Sequence, residues 1–292
     1  MTSSFKVASA QYQIGQPTQF SEFSEKITRL VDEAAAARAR LLVFPEYFSM
    51  ELAHLFPAEV QRSLKAQLEA MQSLIDQFHA LFEGLARSRG LLIVAGSFPT
   101  READGRYKNR SHLFGPGGDM GYQDKIQMTR FEQEVWHIDA GHELKTFDTP
   151  IGRIGINICY DSEFPMIARQ QIEAGADLLV VPSCTDTLAG YWRVRIGCQA
   201  RALENQCYVI QSPTVGSAPW SEAIDVNHGA AAVYTPIDYG FPDNGVLAIG
   251  TMDQPQWVIA EIDLDHVAAV RAQGQVFNHR DWPHQFRPLK LS

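Results

Sequence analysis

Apolar residues recur along the first third of the chain with the spacing of helices, interrupted by short continuous apolar runs. Phe23, Ile27, Leu30, Val31 and Ala34 follow a helical spacing, and the apolar run 41–45 follows them. A second helical spacing extends from residue 60 to residue 85, and the run 91–98 comes next. Short apolar runs between long helical stretches are typical of buried strands. The pattern therefore predicts alternating helices and strands.

The remaining two thirds continue this alternation and end in strands, a short helix and a polar tail. The predicted elements are strands at 153–159, 177–182 and 207–213, helices at about 163–174 and 190–206, and further strands at about 228–234, 246–250 and 257–263. A hairpin with the turn Gly-Pro-Gly-Gly precedes them, at 115–118. Hairpins mixed with βα alternation favour an α/β fold with a mixed sheet. We predict one domain over 1–292, with a core at about 5–265 and a C-terminal tail at 266–292.

Composition and charge exclude several classes of protein. The 292 residues include 34 acidic and 25 basic side chains, a formal charge of −9, and no basic run, which argues against nucleic-acid binding. No apolar run is long enough for a membrane span, and no secretory signal is evident. The four cysteines lack C-x-x-C spacing, so we predict neither a disulfide framework nor a zinc site. We expect a cytoplasmic protein, and we treat the glycosylation triplet at Asn109 as chance.

One cysteine occupies a position suited to chemistry. In the stretch 151–165, Cys159 ends a predicted strand, and a helix that has Pro165 in its first turn follows within a few residues. Free N–H groups and the positive end of a helix favour a thiolate. A free cysteine is nevertheless among the most buried residue types, so Cys159 taken alone is better interpreted as core packing.

A carboxylate and an ammonium group stand at two other strand ends. Glu46 follows the apolar run 41–45, and Lys125 follows the hairpin strand. Taken singly, each is typical of a solvated surface residue. Taken together with Cys159 they form a chemical set, because a thiol is only weakly ionised at neutral pH and needs a base. Glu46 could take its proton, and Lys125 could stabilise the oxyanion formed when the sulfur attacks a carbonyl or nitrile carbon.

Three motifs in this order resemble those of the nitrilase, or carbon–nitrogen hydrolase, superfamily. "FPEY" resembles the glutamate motif at Glu46, "KIQMTRFE" the lysine motif at Lys125, and "GINICYDSEFP" the cysteine motif at Cys159. The resemblance places a further active-site glutamate at Glu132, with Glu134 as the alternative. It extends from about residue 5 to residue 265.

The resemblance implies a fold and an assembly. The expected fold is a four-layer α-β-β-α sandwich with two mixed sheets that face each other and helices outside. The expected assembly is a homodimer or a higher homo-oligomer, and the helices at 163–174 and 190–206 are candidates for its interface. Packing of these helices on the sheet explains their apolar pattern equally well. No metal or organic cofactor is implied.

The resemblance also implies hydrolysis of a non-peptide C–N bond in a small amide through a thioester on Cys159. We favour an amidase because "CYD" resembles the amidase branches. A nitrilase or an N-carbamoyl amidohydrolase is the alternative, since the spacing of Glu132 and the presence of Trp136 resemble nitrilases. A non-catalytic scaffold on the same fold is a further alternative.

Substrate identity is the least determined property. Aromatic and polar residues beside the motifs are candidate substrate contacts, each equally read as core: Tyr47, Phe131, Tyr160, Thr185 and Trp192. The chain departs from the family pattern at Gln123 and Asp124, at Glu163 where many members have arginine, and at 182–187. Arg201 and Glu204 are interpreted as structural.

Overall fold

The computed structural model describes residues 4–288 and has fifteen strands. In chain order these are β1 Ser4–Gln13, β2 Ala39–Val43, β3 Leu92–Val94, β4 Phe98–Arg101, β5 Tyr107–Gly115, β6 Gly118–Asp124, β7 Ile138–Asp139, β8 Thr146–Thr149, β9 Gly152–Ile156, β10 Leu178–Ser183, β11 Tyr208–Ser217, β12 Val226–Asn227, β13 Ala232–Tyr234, β14 Val246–Ile249 and β15 Gln256–Asp263. The strands predicted from apolar runs are all present, although several are shorter than expected.

Eight α-helices accompany the strands in the described part of the chain. They are α1 Phe20–Ala36, α2 Ala58–Gln61, α3 Leu64–Met71, α4 Ile75–Arg89, α5 Pro165–Glu173, α6 Leu188–Asn205, α7 Leu264–Gln273 and α8 Asn278–Asp281. Short 3-10 helices cover Phe48–Leu55, Gln72–Leu74, Cys159–Glu163 and Trp282–Phe286, and a π-helical turn covers Phe131–Trp136. Within residues 4–288, none of these helices combines the length and the apolar character needed to cross a bilayer.

One predicted element differs from the structure. The long helix expected from residue 60 to residue 85 is broken into α2, α3, a 3-10 turn and α4. Ser63 begins α3 as an N-cap whose hydroxyl accepts the N–H of Ala66, so a new helix starts where the apolar spacing alone suggests continuity. The short helix expected after the last strand corresponds to α7; the C-terminal segment 266–292 contains most of α7 and all of α8, and residues 289–292 lie outside the described part.

The strands form one connected mixed sheet. Its order is β4-β5-β3-β2-β1-β11-β10-β9-β8, with the other strands paired at its sides. β1 pairs with β2 in parallel and with β15 antiparallel, and its last residues, Tyr12 and Gln13, pair with Thr214 and Val215 of β11. The two sheets that the resemblance implies are thus joined by hydrogen bonds at this point.

Successive residues of the central strands belong to two different cores. Val7 and Leu41 pack in one core together with residues of β9, β10 and α5. Their neighbours Ala8 and Leu42 pack in the other, against apolar residues of α1 and α4 such as Phe23. Because side chains alternate between the faces of a strand, the region of β1 and β2 is covered on both faces. The candidate catalytic residues therefore follow strands that are firmly held.

A left-handed glycine lies directly beneath the Glu46 loop. Gly96 has φ +53°, and a Cβ placed there would be 2.1 Å from the carbonyl oxygen of Pro45 and 2.6 Å from the Phe48 ring. Any side chain at this position would displace the backbone that carries Glu46.

We predict that Gly96→Ala lowers the free energy of unfolding by roughly 3 kcal/mol, the combined effect of a positive φ and of overpacking. At Gly84, in the middle of α4, a Cβ would have no atom within 4 Å, and Gly84→Ala should be neutral or slightly stabilising. Chemical denaturation of both variants measures this. Equal stability of the two would contradict the close contact at Pro45.

Candidate active site

The candidate residues come together because each one follows a strand end. Glu46 lies three residues after β2, Lys125 directly follows β6, and Cys159 lies three residues after β9. Cys184 directly follows β10. These segments meet at one cavity of about 730 Å³, which contains Glu46, Lys125, Glu132, Cys159 and Cys184 in its lining.

The Lys125 ammonium group lies between two carboxylates. Its Nζ atom donates to Glu46 Oε1 at 2.8 Å and to Glu132 Oε2 at 2.6 Å, and all three side chains are almost completely buried. Burial lowers the pKa of Lys125, but the charges of Glu132 and Glu46 outweigh it and hold the pKa well above its usual value. Lys125 is therefore a permanent cation in this site.

The two carboxylates differ in the number of groups that donate to them. Among described residues, Glu132 accepts five hydrogen bonds, from Lys125, Tyr47, Asn109 and both the N–H and the hydroxyl of Thr129. Glu46 accepts three from nitrogen donors, namely Lys125, Asn109 and the N–H of Cys184, and it also interacts with the Cys159 thiol. Hydrogen bonds to a carboxylate favour its charged form, so Glu132 is the better stabilised anion.

The pKa values follow this difference. Burial raises the pKa of Glu132, but the charge and hydrogen bond of Lys125 and the Thr129 N–H bring it below its usual value. Burial raises the pKa of Glu46 above its usual value although Lys125 opposes the rise. Of the two carboxylates, Glu46 is thus the more readily protonated, and Glu132 is the one whose ionised form is favoured.

The nucleophile candidate stands on a strained turn. Cys159 has φ +50°, which is unusual for a residue with a side chain, and it begins the 3-10 helix Cys159–Glu163. Its Sγ lies 3.7 Å from the carbonyl oxygen of Cys184. Burial and the charge of Glu46 raise the pKa of the thiol well above its usual value, while Lys125 opposes the rise. The protonated thiol is therefore the favoured form of Cys159, and Glu46 is the carboxylate whose charge acts most strongly on it.

The sequence-predicted substrate contacts divide into two groups. Tyr47, Phe131, Tyr160 and Thr185 all line the cavity. Trp192 is absent from that lining; its ring lies on α6, is 46% exposed and packs beside Tyr191. The cavity also contains Trp136, Glu163 and Arg193.

The choice between two glutamates has a clear geometric answer. Glu132 is buried against Lys125, whereas Glu134 is exposed and paired with Arg130 at 2.8 Å. Glu134 also lies outside the cavity lining, so the alternative assignment has no geometric support. Arg201 and Glu204 pair with each other at 2.9 Å on α6, outside the same lining, in agreement with a structural role.

Asn109 belongs to the site, although nothing in the motifs points to it. Its side chain is fully buried, and its Nδ2 donates to Glu46 Oε1 at 2.8 Å and to Glu132 Oε1 at 3.1 Å. Its backbone carbonyl accepts the N–H of Lys125 at 2.9 Å. This burial also removes Asn109 as a glycosylation acceptor in the folded chain. The sequence feature that could have identified Asn109 is that it is a polar residue in a strand whose other residues pack against apolar neighbours.

No group of three or more His, Cys, Asp or Glu side chains between residues 4 and 288 is placed to hold a metal ion. The chemistry that this site offers is that of a nucleophile, a base, a permanent cation and a second, fixed carboxylate.

Comparison with known proteins gives a consistent result. A family model described as carbon-nitrogen hydrolase matches residues 6–272. A probable hydrolase, YhcX, of Bacillus subtilis (strain 168) is 33% identical over 276 residues, which are 94% of this chain but 53% of that protein, so the chain spans about half its length. The omega-amidase NIT2 of Homo sapiens is 28% identical over 95% of both chains. The crystal structure of Saccharomyces cerevisiae Nit3, a nitrilase-superfamily member, matches with a TM-score of 0.72 at 20% identity, covering 92% of this chain and 93% of that one.

We predict that Asn109→Leu slows the alkylation of Cys159 by iodoacetamide about 10-fold at neutral pH. Loss of the bridging amide removes one of the two donors to Glu46 Oε1 and one of the two donors to Glu132 Oε1, and it lets Glu46 move. Peptide-resolved mass spectrometry measures the rate at each cysteine.

Asn205→Leu is the matched control. Asn205 is also fully buried, but within residues 4–288 its side-chain amide donates to the carbonyl of Arg201 alone. Its substitution should cost stability and leave the Cys159 rate unchanged. An equal effect of both substitutions would show that Asn109 acts only through folding.

Proposed function

Because the chain belongs to the carbon–nitrogen hydrolase family, which confirms the predicted resemblance, we propose that it hydrolyses a small amide through a thioester on Cys159. The chain is an amidase-like enzyme of this family. The observation that supports the mechanism is the buried arrangement of Glu46, Lys125 and Glu132 around the cavity that Cys159 lines.

In the first half of the reaction the Cys159 sulfur attacks the amide carbon and its proton passes to Glu46. The carbonyl oxygen becomes an oxyanion that Lys125 and the Tyr160 N–H stabilise, the latter being one of the first N–H groups of a helix, which have no acceptor within it. The C–N bond then breaks, Glu46 returns the proton to the nitrogen, and ammonia or an amine leaves.

In the second half a water molecule attacks the thioester carbon while Glu46 takes one of its protons. The C–S bond breaks, the sulfur recovers the proton from Glu46, and a carboxylic acid is released. Glu46 thus accepts and returns a proton twice per turnover, which suits a carboxyl group whose pKa is raised. Glu132 keeps Lys125 in place and orients the substrate.

An amide is the favoured substrate class. The name of the human relative, omega-amidase, supports it, as does the Cys159-Tyr160-Asp161 motif. A nitrile or an N-carbamoyl compound is the alternative, since the same nucleophile attacks either carbon. The scaffold alternative has little support, because a scaffold has no need of a buried ion triad beside a strained cysteine.

The charges around the cavity mouth favour an amide substrate that carries no carboxylate. Four carboxylates lie in the lining outside the ion triad: Glu163, Asp186, Glu222 and Asp225. Of the two guanidinium groups there, Arg130 is held by Glu134, and Arg193 lies 3.6 Å from Glu163. The excess of negative charge should favour neutral or aminated amides over anionic ones.

We also propose that the two halves of the joined sheet face each other, with helices outside, as the four-layer α-β-β-α sandwich. The two separate cores of β1 and β2, one shared with β9 and β10 and the other with α1 and α4, support this arrangement.

A homodimer is the proposed assembly, and α6 offers a surface for it. Large apolar side chains at helical spacing are exposed along this helix: Leu188 by 50%, Trp192 by 46%, Ile196 by 61% and Leu203 by 38%. An apolar row of this kind is typical of a protein interface. Trp192 is then a dimer contact rather than a substrate contact.

We predict that the protein releases ammonia from at least one of butanamide, 4-aminobutanamide, a carbamoyl amine and butyronitrile, with succinamic acid a poorer substrate than butanamide. Cys159→Ala should abolish release. Cys198→Ala removes another buried cysteine that lies outside the cavity lining and should retain it. Release from the nitrile alone would replace the amidase by a nitrilase, and silence on the whole panel would favour the scaffold.

We predict that Ile196→Asp shifts the protein from dimer to monomer in size-exclusion chromatography with light scattering, because a charge at the centre of the α6 row is buried without a partner. Ile237→Asp changes another exposed isoleucine, outside α6, and should leave the dimer intact. A wild-type monomer would disprove the assembly.

A further inference from the structure

One buried carboxylate joins the segment of Lys125 to the turn of Cys159. Asp161 has no solvent exposure. Its Oδ1 accepts the N–H groups of Gln127 at 2.7 Å and Ile126 at 3.1 Å, and its Oδ2 accepts the N–H of Ile158 at 3.0 Å. Two of these donors directly follow Lys125, and the third directly precedes Cys159.

The three N–H groups belong to segments that the strand ladder does not connect directly. The Lys125 segment leaves β6, at one side of the sheet, whereas the Cys159 turn leaves β9, on the other side of the β1–β11 joint. In the described part of the chain, β6 and β9 are not paired with each other. The relative position of the ammonium group and the sulfur atom therefore depends on contacts outside the ladder. Asp161, which belongs to the Cys159 turn, supplies two of them by accepting the N–H groups of Ile126 and Gln127.

The same side chain also stabilises the strained turn. Cys159 is held at a positive φ, a conformation that costs energy and persists only when its surroundings fix it. Asp161 accepts the N–H just before Cys159, and its own N–H donates to the carbonyl of Ile158 at 3.0 Å. Asp161 thus binds both the N–H and the carbonyl group of Ile158 and so closes the turn.

Burying the Asp161 carboxylate costs free energy, which argues that this side chain has a specific role. Burial raises the pKa of Asp161 to about 7, although Lys125 and the three backbone N–H groups oppose the rise. Asp161 does not line the cavity, and its hydrogen bonds within residues 4–288 are made to backbone N–H groups. Its use is therefore geometric.

We infer that Asp161 is a positioning residue that holds the Cys159 sulfur and the Lys125 ammonium group at the separation needed to stabilise the oxyanion. This inference rests on the proposed function. It assigns Asp161 no contact with substrate: the side chain acts through two backbone segments, and its loss moves the nucleophile relative to the cation. Small displacements of this kind cost large factors in rate.

Asp161→Asn is the test, because an amide keeps one acceptor oxygen for Ile126 and Gln127 but presents an NH₂ group to the N–H of Ile158. We expect kcat to fall about 10- to 100-fold with KM changed less than about 3-fold, since substrate contacts are untouched. Alkylation of Cys159 by iodoacetamide should slow in parallel, because the turn that presents the sulfur loosens.

Asp238→Asn is the matched control. Asp238 is also buried, and its Oδ1 accepts the N–H groups of Tyr239 and Gln275, both at 2.8 Å, outside the cavity lining. Its substitution should lower the melting temperature and leave kcat and Cys159 alkylation unchanged. If both variants lose kcat only in proportion to their unfolded fraction, Asp161 is merely structural.

Asp161→Glu provides a second variant should the asparagine protein not fold. It keeps the charge and both acceptors but shifts them by one methylene, and an intermediate loss of kcat is expected. A folded variant at position 161 with wild-type kcat and alkylation rate overturns the inference. A wild-type protein that hydrolyses no amide overturns the proposed function instead, and the alkylation rates then still test the geometric role.

Discussion

The buried triad of Glu46, Lys125 and Glu132 is the interaction on which the rest of the site depends. One cation between two carboxylates leaves one net negative charge in a region that water hardly reaches. Taking such charges out of water is costly unless each is paired and fully hydrogen-bonded. The protein meets this requirement with neutral donors: the Asn109 amide, the Tyr47 hydroxyl, Thr129 and the Cys184 N–H.

These donors come from separate parts of the chain, so the triad also constrains the fold. Asn109 lies on β5, Thr129 lies just before the π-helical turn, and Cys184 follows β10. Each must reach the same few atoms, and a shift of one strand would leave a buried carboxylate oxygen without its donor. The joint between β1 and β11 places the two halves of the sheet in this register.

Much of this arrangement follows from the sequence, and the remainder has identifiable causes. Apolar runs predict β2, β9 and β10, and a charged or nucleophilic residue after a strand is a visible signal, which is why Glu46, Lys125 and Cys159 can be found. The role of Asn109 is not predicted because its hydrogen-bond partners lie on other segments of the chain. The face to which a strand residue points is also undetermined while the pairing of that strand is unknown. The helix break at Ser63 is not predicted because the apolar spacing continues across it. The Ser63 cap determines where a helix begins only when tertiary packing changes the direction of the chain.

The position of Trp192 shows a related limit. It follows a motif loop and has the large flat ring expected of a substrate contact, yet the apolar row of α6 turns it outward. Neighbourhood in sequence does not determine which face of a helix a side chain occupies; that depends on which of its neighbours the core requires, here Tyr191 and Val194.

In the proposed reaction, the different hydrogen bonding of the two glutamates explains why both are needed. A base that takes a proton from a thiol and then returns it to a leaving nitrogen has to be easy to protonate, and strong burial with only three nitrogen donors favours this at Glu46. An anion that must keep Lys125 charged through the whole cycle has to resist protonation, and five hydrogen bonds make Glu132 so. If both carboxylates had equal donors, the proton from Cys159 would be shared between them, and the cation that stabilises the oxyanion would be less firmly placed.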